Sequence, residues 1–203
     1  MSHYFAAQSP ELDQPRQVEV VLRGHRLSVT TDSGVFSSDR LDPGTAVLLD
    51  QVPEPPMSGT FCDVGCGWGP LALALAQAAP AARVLAVDVN PRALTLTKKN
   101  ADAHGYRVQT HTPDDLLGAE PDLTVDLIWS NPPIRIGKQN LHTLLRTWLP
   151  RLSPQGAAYL VVSKNLGGDS LHRWIESELG QPTTRLASRQ GFRILHVAAI
   201  TTG

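Results

Sequence analysis

From about residue 59 onward, short apolar runs and amphipathic stretches take turns along the chain, and this alternation leaves few folds open. Residues 60–64, 83–87, 108–110, 125–130 and 156–163 read as buried strands, dense in Val, Leu, Ile and Ala. Helical patterns lie between them. Pro70 suits a first helical position and leads into 71–79, and 91–104 ends at Gly105 as a C-cap. Residues 141–151 and 170–179 follow, the latter behind Asp169 as N-cap. A strand that returns through a helix must lie parallel to its predecessor. Residues 183–187 and 192–198, separated by 188–191, read instead as a closing antiparallel pair. The expectation is an α/β chain: a doubly wound, Rossmann-like, mostly parallel seven-stranded sheet with an antiparallel last strand.

The first 58 residues follow another pattern. Residues 17–23 and 26–31 alternate about Gly24-His25, which predicts a short β-hairpin. Residues 43–51 predict a helix behind Asp42 as cap, and Pro53-Glu54-Pro55-Pro56 reads as a stiff linker. Residues 1–58 are thus expected to form a hairpin-and-helix extension on a main domain at 59–203. A net charge of −1 over 203 residues gives no global pull toward nucleic acid, so such a partner must meet a local basic patch. No signal-like leader and no apolar run of membrane-spanning length stands out, so a cytoplasmic protein without membrane contact is expected. Cys62 and Cys66 share one short stretch and read as small apolar fillers; a lone pair completes no zinc site, and no metal is expected.

Asp63-Val64-Gly65-Cys66-Gly67-Trp68-Gly69 joins the first strand of the main domain to its helix, where open α/β sheets bind ligands. The spacing is G-x-G-x-G, and Pro70 stands where a dinucleotide motif would carry its last glycine. No Lys-Ser/Thr pair follows, which excludes a phosphate-cradling P-loop. Asp88 ends the next strand about 20 residues on, where an acid can take two ribose hydroxyls, with Val89 beside it. With Asp63 ahead of the glycines, this pattern predicts a site for S-adenosyl-L-methionine. Asp114 or Asp115, after the third strand, could receive the adenine amino group, and Asp114 is preferred.

Asp63–Gly69, Asp88 and Asn131-Pro132-Pro133, in that order, resemble a class I S-adenosylmethionine-dependent methyltransferase. More narrowly, Gly34-Val35-Phe36-Ser37, the DVGCGWGP loop and SNPPIRIGK are similar to the ribosomal RNA small-subunit guanine-N2 methyltransferase group, and the likeness runs from about residue 3 to 198. Members of that group carry a second, degenerate domain; one copy is present here. The resemblance implies an N-methyltransferase acting on an exocyclic amine of an RNA base, guanine N2 of small-subunit ribosomal RNA or of the assembling subunit. Asn131, Pro132 and Pro133 would be catalytic. The prolines fix φ near about −65° and hold the preceding residue extended, so the Asn131 side-chain oxygen and the Pro132 carbonyl are aimed as two acceptors for the amine. Asn131 would also border the cofactor, along with Asp63, Gly65, Cys66, Gly67, Gly69, Asp88, Val89 and Asp114.

Phe36 is a candidate to stack on a flipped base, and Arg135 and Lys138 to hold phosphates or the base. Arg16, Arg23, His25 and Arg26 form the candidate RNA patch on the hairpin. Attack by a thiol on a ring carbon is rejected, since both cysteines belong to the glycine-loop region. Two other readings remain: the same mechanism on a protein glutamine amide or small-molecule amine, and a non-catalytic RNA-binding module. Trp148 and Trp174, at helical spacing among Leu and Ile, are expected in the core.

Overall fold

A computed structural model of the chain describes residues 15–32, 40–132 and 137–200. The Gly34–Ser37 turn with Phe36, and Pro133 and Arg135, lie outside the described residues. A two-stranded antiparallel hairpin, β1 (Arg16–Leu22) and β2 (His25–Thr31), precedes helix α1 (Pro43–Gln51). Strands β3 (Thr60–Val64), β4 (Arg83–Val87), β5 (Val108–His111) and β6 (Val125–Ser130) then alternate with helices α2 (Pro70–Ala78), α3 (Pro91–Ala103) and α4 (Pro113–Ala119). After α5 (Lys138–Trp148) come β7 (Leu152–Ser163), α6 (Gly168–Trp174), β8 (Thr183–Arg189) and β9 (Phe192–Ala198). No helix among the described residues is long and apolar enough to cross a membrane.

The main sheet has seven strands in the order β5-β4-β3-β6-β7-β9-β8. The pairs from β5 through β7 are parallel, and β9 runs antiparallel to both of its neighbours. The chain therefore winds outward one way from β3 and the other way from β6. Between those two strands lies the switch point where such sheets open a crevice. Alternate residues of the strands feed two cores. Phe61, Val84, Leu127 and Trp129 join α1, α2, α3 and the hairpin on one face, while Cys62, Leu85, Ile128 and Leu160 join α4, α5 and α6 on the other. Helix α2 buries six consecutive residues, Leu71–Ala76, because it is covered by the sheet beneath and by α1 and α3 beside it.

Several expectations shift. The hairpin turns one residue earlier, on Arg23-Gly24, both with positive φ (47° and 85°), the geometry a tight two-residue hairpin needs. Arg23 tolerates it because its guanidinium bonds to the Leu49 and Val52 carbonyls at 3.0 and 3.2 Å and pairs with Glu54. Residues 113–119, which hold both adenine candidates, form the helix α4; Thr112 caps it and Asp115 returns the bond. Strand β7 begins at Leu152 rather than 156, across a register shift opposite Val125 and Leu127. Gly167, with φ 96°, caps α6 in place of Asp169, which pairs with Arg185 and Arg193; a π-helical turn at Ile175–Leu179 completes the segment. Trp148 is buried as expected, whereas Trp174 is half-buried and stacks on His142 with ring centres 3.7 Å apart.

One buried side chain ties the hairpin to α3 and to the glycine loop, beside the Arg23 bonds to α1 and a bond from His104 to the Ser28 carbonyl at 2.9 Å. Buried Asn100, on α3, accepts from the Thr30 amide at 2.7 Å and donates to the Thr30 and Trp68 carbonyls at 2.9 and 3.0 Å. Asn100→Ala would leave three buried backbone groups without partners. It is expected to lower stability by about 2–4 kcal/mol in denaturant unfolding. A loss below about 0.5 kcal/mol would show that the hairpin does not depend on the Asn100 bonds.

Candidate functional site

The parallel strands β3 and β6 pair side by side, with Asp63 level with Trp129, so their C-terminal exits emerge together. The exit of β3 is the glycine loop. Gly65, Gly67 and Gly69 all have positive φ (79°, 57° and 96°), which side-chain-bearing residues rarely adopt. Gly65 and Cys66 donate to the Val87 carbonyl at 2.8 and 3.1 Å, and Gly69 to that of Cys66 at 2.9 Å. Thr97, on α3, supports the loop from below, its hydroxyl 2.9 Å from the Gly67 carbonyl. A Cβ on Gly69 would come within 2.8 Å of that threonine.

Asp88 follows β4, and its carboxylate has a bracing role that its place in the sequence did not signal. Its Oδ2 accepts from the Gly67 amide at 3.0 Å and its Oδ1 from the Asn90 amide at 2.9 Å, so it braces the loop. Each oxygen keeps one further lone pair for a diol. Val89 beside it is 81% exposed, an apolar side chain presented to solvent. Asp115 is committed to the Thr112 cap, while Asp114 makes no bond among the described residues. A loop open to close approach, an acid with spare acceptor capacity, an exposed apolar surface and a second acid fit the ribose and adenine of S-adenosylmethionine.

Asp63 and Cys66 act differently from the other loop residues. Asp63 is buried at the base of the loop, where its Oδ2 accepts from the Ala72 amide in α2 at 2.9 Å and its Oδ1 has no partner among the described residues. Burial raises its carboxyl to about 8 against the opposing pull of the Ala72 amide, with Asp88 adding to the rise. Burial, reinforced by the charge of Asp63, also pushes both thiols well up, so neither Cys62 nor Cys66 is a thiolate nucleophile.

Asn131 leaves β6 directly after Ser130, whose hydroxyl bonds the Val64 carbonyl of β3 at 2.6 Å. The Asn131 amide nitrogen lies 2.7 Å from Asp42 Oδ2 and 2.9 Å from Thr45 Oγ1, both at the N-terminus of α1. A carboxylate accepts only, so the nitrogen must face it. The amide oxygen is left as the acceptor. Sequence reading identified Asp42 as a cap but missed its second role, and 89 residues of separation gave no signal of it. Pro132 follows, buried, and Lys138 is the exposed first residue of α5.

The hairpin patch needs correction. The Arg23 side chain is 15% exposed, held by Leu49, Val52 and Glu54, and lies 5.7 Å over the Trp129 ring. It is a structural anchor and not a phosphate contact. His25 and Arg26 are exposed.

The family model for the methyltransferase small domain matches residues 26–196. The uncharacterized protein YbxB of Bacillus subtilis is 32% identical over 197 residues, covering 96% of this chain and 98% of its own. Ribosomal RNA small subunit methyltransferase C of Hahella chejuensis is 35% identical over 175 residues, 84% of this chain but 49% of that one. A solved Thermus thermophilus 16S rRNA N2 methyltransferase, in complex with AdoMet and guanosine, superposes with a TM-score of 0.80 at 23% identity, over 92% of this chain and 51% of that one. The chain thus spans nearly all of the Bacillus protein and about half the length of the other two.

The raised Asp63 carboxyl gives a pH prediction. Its folded pKa lies above the unfolded value of about 4, so the folded state holds the proton more tightly. Stability therefore falls as pH rises from about 4 through the folded value of about 8. Asp63→Asn removes this titration. The variant is expected to gain on the parent protein between pH 6 and 9 when unfolding is compared at each pH. A difference independent of pH would mean that Asp63 is ionised throughout.

Proposed function

This chain belongs to the methyltransferase small-domain family, and from that premise we propose that it methylates an exocyclic amine of an RNA base, guanine N2 of small-subunit ribosomal RNA. The observation that carries the reading is the Asn131 amide, turned so that its oxygen remains the acceptor at the switch point beside the glycine loop. A guanine N2 amine is a poor nucleophile because its lone pair is delocalised into the ring. Accepting both N–H bonds, one at the Asn131 oxygen and one at the Pro132 carbonyl, favours a pyramidal nitrogen with its lone pair directed at the methyl group. S-adenosylmethionine, when bound, supplies that methyl on a sulfonium. The protein contributes orientation and acceptors for the developing positive charge, and the surplus proton can leave to water.

In this reading Gly65, Gly67 and Gly69 allow close approach of the cofactor, Asp88 takes the ribose, Val89 covers the adenine and Asp114 receives its amino group. Asp63 and Cys66 support the loop from beneath. Phe36 and Arg135 stay assigned to the substrate side with Lys138. The named relative from Hahella acts on ribosomal RNA by its name, which supports RNA as acceptor. Residues 1–58 are proposed as the extension that presents Arg16 and Arg26 to RNA, in the cytoplasm. Withdrawal of Arg23 leaves a smaller patch, an observation that favours a protein amide or small amine as the second reading.

Asn131→Ala should leave cofactor affinity within a few-fold and lower the transfer rate by roughly 10²–10³, the scale for one oriented polar group. Retained turnover would end the amine-orienting role.

If Arg16, Arg26, Arg135 and Lys138 each meet a phosphate, log affinity should fall with log salt at a slope of about −3 for single strands. Arg26→Glu should flatten that slope without changing cofactor affinity, and Arg23→Glu should instead lower stability. RNA binding indifferent to salt would favour the amide or small-amine acceptor.

A further inference from the structure

The four residues Asp42-Pro43-Gly44-Thr45 open helix α1 and face Asn131 across 86–89 residues of sequence. Asp42 Oδ2 receives two donors, the Thr45 amide at 3.0 Å and the Asn131 side chain at 2.7 Å. The first bond is an ordinary N-cap. The second is not needed by the helix. Buried Thr45 supplies a second acceptor, its hydroxyl 2.9 Å from the same Asn131 nitrogen. Both protons of the amide nitrogen thus have partners, and both partners lie on one rigid element.

The packing around this turn keeps it in place. A Cβ on Gly44 would sit 2.9 Å from Asp42 Oδ2 and 3.1 Å from the Phe192 ring, so the position has no room for a side chain. Phe192 opens β9 and is level with Ser163 at the end of β7, two strands from Asn131. The helix start is therefore held between Phe192 at the start of β9 and the asparagine.

A side-chain amide can rotate by half a turn with little change in shape. Unrestrained, it would present its nitrogen to an incoming amine, donor against donor. We propose that Asp42 and Thr45 are positioning residues for methyl transfer: together they hold the Asn131 amide with its oxygen toward the substrate amine. This rests on the amine-methylation reading above. The carboxylate also polarises the amide along the hydrogen-bond chain, which makes the oxygen a better acceptor as positive charge grows on the attacking nitrogen. The nitrogen–methyl bond forms as the sulfur–methyl bond breaks, and neither Asp42 nor Thr45 exchanges a proton in that step.

The test separates holding the asparagine from capping the helix. Serine is as good an N-cap as aspartate but is one atom shorter. Asp42→Ser should keep the melting temperature near that of the parent and still lower kcat by about 10–10²-fold, with cofactor affinity unchanged. Asp42→Asn keeps an acceptor of full length and should recover most of the rate. Thr45→Val, of nearly equal volume, should lower kcat and Thr45→Ser should restore it. In the Asn131→Ala background, Asp42→Ser should cost nothing further, since its effect passes through the missing amide. The readouts are tritium transfer from S-adenosylmethionine to small-subunit ribosomal RNA and the Asn131 side-chain amide protons by NMR. Those protons should exchange slowly in the parent and in Asp42→Asn, and fast in Asp42→Ser. A rate that tracks melting temperature, or an additive loss in the double variant, overturns the proposal. If the parent transfers no methyl group at all, the functional reading fails separately. The amide protons then decide alone, and exchange unchanged in Asp42→Ser removes the positioning role.

Discussion

The parallel pairing of β3 with β6 is the constraint on which the rest of the molecule depends. These two strands are far apart in sequence, yet Asp63 lies level with Trp129, and the Ser130 hydroxyl bonds the Val64 carbonyl at 2.6 Å where both strands end. Because the chain winds away from them in opposite directions, a crevice opens beyond their ends. The glycine loop and Asn131 therefore leave neighbouring strands side by side. A slip of one residue in this register would send Trp129 from one core to the other and carry Asn131 with it.

Around that pair the sheet recruits support from three sides. Asp88 braces the loop from β4, and Thr97 and Asn100 brace it from α3. Asp42 and Thr45 brace Asn131 from α1. The hairpin is bound into the same arrangement through Asn100 and through Arg23, whose guanidinium reaches the C-terminal end of α1. A change in the hairpin can thus alter the glycine loop through Asn100, whose amide touches both Thr30 and Trp68. The proposed chemistry asks for this kind of rigidity, because a reaction run by orientation is sensitive to displacements well under 1 Å.

Much of this architecture was legible in the sequence because parallel strands buried on both faces leave continuous apolar runs. Residues 60–64, 83–87 and 125–130 were placed at the bounds observed, and the cap of α1 was read from Asp42 alone. Local punctuation misled where tertiary partners override it. Asp169 looks like a cap, but Arg185 and Arg193 draw it into an ion-pair cluster while Gly167 takes the cap position. Thr112-Pro113-Asp114-Asp115 looks like a turn, and the Thr112–Asp115 exchange makes it a helix start. In the candidate site, the residue types were readable and their partners were not. That Asp63 turns to α2, that Arg23 is withdrawn from the surface, and that Asp42 meets Asn131 are all long-range contacts that no spacing rule encodes.

Methylation of an exocyclic amine of ribosomal RNA, with the Asn131 oxygen as acceptor, leaves a product that can be identified chemically. The most direct measurement is nucleoside analysis of small-subunit ribosomal RNA after incubation with the protein and labelled S-adenosylmethionine. Label is expected in N2-methylguanosine and is expected to be lost with Asn131→Ala. Label on a ring carbon, on a ribose oxygen or on protein, or label in RNA that survives Asn131→Ala, would contradict this chemistry.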